Sequence, residues 1–176
     1  MVQREVIKKI CLLGDGAVGK TSLIRKYVYD MFDDKYVPTL KTKVTKKSII
    51  LNWKGEEIKL TLMVWDILGQ REDLSLHYVY YQGAEGALVV ADATRPETID
   101  SIQIWVESFK KVVGNKFLIF LLNKIDLVDP NTYDYSKMEN ISKKYNASYM
   151  VTSAKVGLNV DKAFTTLGEK LTQTIK

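Results

Sequence analysis

One cysteine and one histidine in 176 residues leave several chemistries out. The lone cysteine, Cys11, has no partner for an internal disulfide. It stands inside the apolar run Ile10-Cys11-Leu12-Leu13 and reads as a small buried hydrophobe. The lone histidine, His77, reads as a surface residue rather than a metal ligand. No apolar run approaches the roughly 20 residues that a membrane helix needs. The opening MVQREVIKKI lacks the apolar stretch of a signal peptide, so a cytoplasmic protein is expected. No repeat, low-complexity tract or Pro/Gly/Ser-rich linker divides the chain, and its length suits one domain over residues 1–176. The formal net charge of +5 comes from scattered lysines in short pairs such as Lys46-Lys47 and Lys143-Lys144. That is no basic stripe, so nucleic acid is not expected as a partner.

What is present is an alternation of element types. Val6 to Leu13 reads as a buried strand, followed by a Gly-rich turn and a helix from about Gly19 to Asp30. A polar loop spans Asp33 to Leu40. Val44–Trp53 and Ile58–Trp65 alternate like strands, and Asn52 to Glu57 between them reads as a hairpin turn. Strand and helix then take turns: strands at Ala87–Ala91, Phe117–Leu122 and Ala147–Val151, helices at Pro96–Val113, Tyr135–Tyr145 and Asn159–Thr174. This order predicts an α/β fold of three layers. Its sheet is six-stranded and mostly parallel, covered by helices on both faces, with one antiparallel edge strand from the early hairpin.

The strongest local signal is Gly14-Asp15-Gly16-Ala17-Val18-Gly19-Lys20-Thr21, between a predicted strand and a predicted helix. Glycines let the backbone curl until several N–H groups converge on phosphate oxygens. The helix N-terminus adds its positive end at the same point. Lys20 reaches β- and γ-phosphates as a mobile cation, and the Thr21 hydroxyl is placed to ligate magnesium. The pattern predicts a P-loop nucleoside triphosphate site without naming the base.

The base is addressed by Asn123-Lys124-Ile125-Asp126, directly after a strand. Guanine presents N1–H and the 2-amino group side by side, and a carboxylate accepts both. Adenine has no such pair on that edge. In this order behind a phosphate loop, the quartet resembles the guanine motif of the Ras superfamily of small GTPases. The resemblance covers nearly the whole chain. It implies a GTP-binding molecular switch with Mg2+ as cofactor and GTP or GDP as bound nucleotide. Asp15 to Thr21 and Ser22 would then surround the phosphates. Lys124 would lay its stem on the base, and Asn123 would tie the quartet to the phosphate loop. Ser153-Ala154-Lys155 resembles the family's companion loop, with the Ala154 N–H donating to guanine O6 and Lys155 packing on the base.

Two further segments resemble the family's switches. In Asp66-Ile67-Leu68-Gly69-Gln70, Asp66 would hold magnesium through a water, the Gly69 N–H would bond the γ-phosphate, and Gln70 would orient the attacking water. In Tyr36-Val37-Pro38-Thr39, Thr39 would complete the magnesium coordination, joining Thr21 and Asp66, only when the γ-phosphate is bound. Phe32 matches an aromatic that packs on guanine, and Tyr36 would close over the phosphates. Catalysis is thus assigned to Gln70, Lys20, Thr39 and Gly69. No arginine lies between Lys26 and Thr39, so weak intrinsic hydrolysis is expected. It would depend on a GTPase-activating protein, with an exchange factor and effectors meeting the same switches. Arg71, where the family has glutamate, is expected to be exposed or to meet a partner, the alternative being a contribution to hydrolysis within its own chain.

Trp65, Tyr80-Tyr81 and Gly83-Ala84 are most similar to the Rab branch, which implies signalling or membrane traffic. Lys41, Val44 and Ile67-Leu68 depart from that branch in partner surfaces, not in the nucleotide site. The last residues, Thr172 to Lys176, hold no cysteine for prenylation: either a lipidated tail lies beyond this sequence or the protein works without a lipid anchor, so no stable membrane anchor is expected in this chain, and a monomer is. Trp53 and Trp105 read as packing residues. Two other functions compete: a GTP-binding module with negligible hydrolysis, against which Gln70 and Gly16 argue, and an ATP-dependent P-loop enzyme, against which Asp126 argues.

Overall fold

The computed structural model describes residues 4–38, 42–72 and 74–175. Thr39, Leu40 and Lys41, named above, lie outside the described residues. Six strands form one sheet: β1 (Arg4–Leu13), β2 (Lys43–Trp53), β3 (Glu56–Asp66), β4 (Gly86–Asp92), β5 (Phe117–Asn123) and β6 (Ser148–Val151). Their order is β2-β3-β1-β4-β5-β6. Among the strand pairs of the described residues, β2–β3 is antiparallel and the others are parallel. This is the six-stranded, mostly parallel sheet with one antiparallel edge strand that the element order implied. The β2–β3 hairpin turns on two residues, Lys54 and Gly55, both at positive φ (53° and 82°), which matches the right-handed twist of the flanking strands.

The helices are α1 (Lys20–Tyr29), α2 (Tyr78–Tyr81), α3 (Glu97–Asp100), α4 (Ile102–Val113), α5 (Ser136–Tyr145) and α6 (Val160–Thr172). β1 shows why they cover both faces. Its side chains alternate, so Ile10 and Leu12 enter one apolar layer with Leu23, Phe164 and Leu167 of α1 and α6. Cys11 and Leu13 enter the other with Trp105, Phe109 and Met138 of α4 and α5. Tyr27 stacks flat on Phe164 at 4.1 Å, joining α1 to α6.

The expected helix Pro96–Val113 is present but divides at Ser101. The Ser101 hydroxyl donates back to the Glu97 carbonyl at 3.0 Å, a contact that bends helices. A short turn of 3-10 helix, Leu74–His77, leads into α2 where no helix was expected. His77 is a correction: it is buried, its ring stacked on Trp105 at 5.5 Å with an interplanar angle of 8°. A large aromatic beside it supplies the apolar surface that an imidazole can cover.

Every parallel strand reaches the same edge of the sheet with its carboxyl end. β3, β4 and β5 end there on polar residues, Asp66, Asp92 and Asn123, all buried. Loops leaving that edge converge, as ligand-binding loops of open α/β sheets do.

Candidate functional site

The segment Gly14 to Gly19 curls between β1 and α1. Gly19 has φ 105°, and a Cβ there would strike the Asn123 amide, so only glycine fits. Lys20 opens α1, is buried, and donates to the carbonyls of Gly14 at 2.7 Å and Asp15 at 2.9 Å. Burial lowers its ammonium pKa to about 8, against the pull of Asp66 and Asp15. The Val18 side chain belongs to the core, so this residue offers the site only its backbone. Ser22 lines the cleft from the first turn of α1.

Thr21 donates from Oγ1 to Asp66 Oδ2 at 2.5 Å. Asp66 Oδ1 is buried and has no hydrogen-bond partner among the described residues. Burial raises the Asp66 carboxyl above the usual range, while Thr21 and Lys20 pull it down. A hydroxyl beside a carboxylate oxygen with unused capacity is a donor set that suits a hard divalent cation. Beyond Asp66, the Gly16 N–H donates to the Gly69 carbonyl at 3.0 Å. Gly69 approaches so closely that a Cβ on it would collide with the Gly16 backbone. Gln70 is exposed and lines the same cleft.

On the other side of the cleft, Asn123 is a buried brace. Its Nδ2 donates to the Val18 carbonyl at 3.0 Å, and its Oδ1 accepts from Thr152 Oγ1 at 3.0 Å. Lys124 takes φ 64° and sends its ammonium to the Ala17 carbonyl at 2.7 Å and to Asp92 at 2.8 Å. Asp126 is exposed, with Oδ1 accepting from Ser153 Oγ at 2.6 Å, which leaves Oδ2 for other donors. Ala154 is buried and Lys155 exposed, with the Lys155 ammonium 3.8 Å from Asp34. Phe32 and Tyr36 are exposed along the polar loop and face the same cleft. The cleft encloses roughly 290 Å³ and runs from Lys20 to Asp126. The structure thus brings together both ends of the expected site; Thr39 lies outside the described residues.

Three residues of the site went unread in the sequence. Asp92 accepts from Thr94 and Arg95 as well as Lys124. Burial pushes its carboxyl up, but the Lys124 and Thr94 hydrogen bonds outweigh that and hold it below the usual range. Arg95 donates to the Gly16 carbonyl at 2.8 Å. Trp105 is fully buried yet donates from its indole N–H to Asp15 Oδ1 at 2.9 Å. Asp92 did carry a signal, an ionisable residue closing a buried apolar strand as Asp66 and Asn123 do. Arg71 is half exposed and sets Nε 3.4 Å from the same Asp15 oxygen.

Comparison with known proteins agrees with this geometry. A model of the Ras family matches residues 9–173. The Ras-related protein Rab-21 of Mus musculus is 33% identical over 168 residues, covering 94% of this chain and 73% of its own length. Rab-21 of Dictyostelium discoideum is 33% identical over 172 residues, covering 97% and 79%. The GTP-binding protein YPT53 of Saccharomyces cerevisiae is 35% identical over 170 residues, covering 93% and 76%.

Proposed function

Since this chain belongs to the Ras family, on its Rab branch, and is therefore a GTP-binding switch and a GTPase, we propose a magnesium-dependent cycle of slow intrinsic hydrolysis run by a single domain. The observation that carries this reading is the one cleft holding the curled backbone before Lys20 at one end and Asp126 at the other. Asp126 accepts the two guanine donors, Lys124 lies along the base, and the Ala154 N–H meets the carbonyl on the opposite edge. N–H groups of Asp15 to Thr21 take the phosphate oxygens, and the Lys20 ammonium leaves the Gly14 and Asp15 carbonyls to join them. Thr21, Asp66 (through a water) and Thr39 would hold magnesium, which would supply positive charge to the phosphate oxygens.

Switching follows from differential contact. The Gly16 N–H now engages the Gly69 carbonyl. A γ-phosphate competes for that donor and offers the Gly69 N–H an acceptor instead, so the segment behind Gly69 adopts one arrangement with GTP and another with GDP. Gln70 orients water for attack on the γ-phosphate. Activating protein, exchange factor and effectors read the two switch segments, and membrane traffic is the setting, with a cytoplasmic location.

Phosphate release under single turnover tests this directly. The parent protein releases phosphate slowly, stops when magnesium is chelated, and slows about tenfold further as Gln70→Leu. If phosphate appeared at equal rates from both proteins, Gln70 would have no catalytic role. If GTP stayed bound and intact, the chain would be a binding module.

A further inference from the structure

Three contacts of the second switch segment lead to the phosphate loop or to one side chain of α4. The Gly69 carbonyl receives Gly16 N–H at 3.0 Å. Arg71 Nε lies 3.4 Å from Asp15 Oδ1. The His77 ring lies flat on the Trp105 ring. The indole N–H of that same Trp105 donates to Asp15 Oδ1 at 2.9 Å. An exposed arginine–carboxylate pair is weak by itself, because holding two mobile side chains in one geometry costs entropy. Here the carboxylate is not mobile. A fully buried indole N–H, on a ring packed against His77, fixes the Asp15 oxygen. Charge-assisted donation of this kind is about twice as strong as a neutral hydrogen bond.

We propose that Trp105 is a positioning residue for GTP hydrolysis: its indole N–H sets the Asp15 carboxylate that tethers Arg71, and so places the adjoining Gln70 against the phosphate loop. The inference rests on the functional reading above. It assigns Arg71 a role within its own chain, as the cation that keeps residues 69–71 near the reacting phosphate. The stack on His77 holds the far end of the same segment.

The test pairs a spectrum with a rate. Three indole N–H resonances arise from Trp53, Trp65 and Trp105, and Trp105→Phe identifies the third by its loss. In the GDP complex, Asp15→Ala shifts the Trp105 resonance and leaves the other two in place. Trp105→Phe keeps a ring on His77 but removes the donor, and it slows single-turnover hydrolysis about tenfold. Its GDP release rate stays close to the parent's, while its melting temperature falls by a few degrees because the smaller ring leaves part of the buried Trp105 site unfilled. In an Arg71→Ala background the same change alters the rate by less than about twofold, because both act through one contact. Asp15→Ala, which leaves the ring stack whole, slows hydrolysis as Trp105→Phe does and carries the test if the latter does not fold. A Trp105 resonance indifferent to Asp15→Ala overturns the proposal, as do losses from Trp105→Phe and Arg71→Ala that simply multiply. The spectrum needs no hydrolysis, so a parent protein without GTPase activity refutes the functional reading and is told apart from a failed indole contact.

Discussion

Asn123→Ala separates the scaffold of the site from its surface. Asn123 is 1% exposed and makes two buried hydrogen bonds, to the Val18 carbonyl and from the Thr152 hydroxyl. Alanine removes both and leaves two buried polar groups unsatisfied, at about 1–3 kcal/mol each. A total near 3 kcal/mol corresponds to a fall in melting temperature of roughly 6–12 °C for a chain of this size. Nucleotide release should accelerate more than stability alone requires. The Val18 carbonyl sits inside the phosphate loop, and its brace is the link between that loop and the base-side segment. The assay is thermal unfolding of the GDP complex beside the dissociation rate of a fluorescent GDP analogue. Gln70→Leu serves as the comparison, since an exposed side chain should leave the melting temperature nearly unchanged. Should Asn123→Ala melt within about 2 °C of the parent and release nucleotide at the same rate, the brace would contribute nothing and this reasoning would fail.

Asp126→Asn replaces an acceptor pair by one acceptor and one donor. GTP affinity falls about 100-fold, and xanthosine triphosphate, whose edge offers the complementary donor and acceptor, becomes the better ligand in competition for the site. An unchanged preference for GTP would place guanine elsewhere. Cys11 is fully buried, and burial pushes its thiol up to about 12. It therefore stays a neutral thiol between pH 7 and 9, and an aromatic disulfide reagent labels it only as fast as the protein opens. Labelling of the folded protein within the mixing time would contradict the burial.

The strands were legible because parallel strands buried on both faces become unbroken apolar runs, as in Leu88 to Ala91 and Ile119 to Leu122. The longer helices were legible because a 3.6-residue period has room to repeat in α4 and α6. The four residues of α2 are too few to show a period, and their aromatic sequence Tyr78-Val79-Tyr80-Tyr81 favours strands as much as helices. His77 carries no pattern of its own; its burial depends on Trp105, 28 positions further along the chain, arriving beneath it. The residues proposed to bind phosphate and to read the base stand out in the sequence because that chemistry demands particular side chains at fixed short spacings, and the structure gathers the described ones in one cleft. The Trp105–Asp15 hydrogen bond, spanning 90 positions, joins an apparent core residue to an apparent loop residue, and only packing of α4 against the phosphate loop brings them together. Arg71 is exposed, as the sequence suggests, and its pairing with Asp15 of its own chain rests on the same packing.

The most direct measurement is to denature the purified protein and identify by chromatography the nucleotide it releases. Guanosine diphosphate or triphosphate, near one equivalent per chain and lost when Asp126 is replaced, is the result expected from a cleft with Lys20 at one end and Asp126 at the other. An adenine nucleotide in its place, or a protein that takes up no added GDP, would contradict the account.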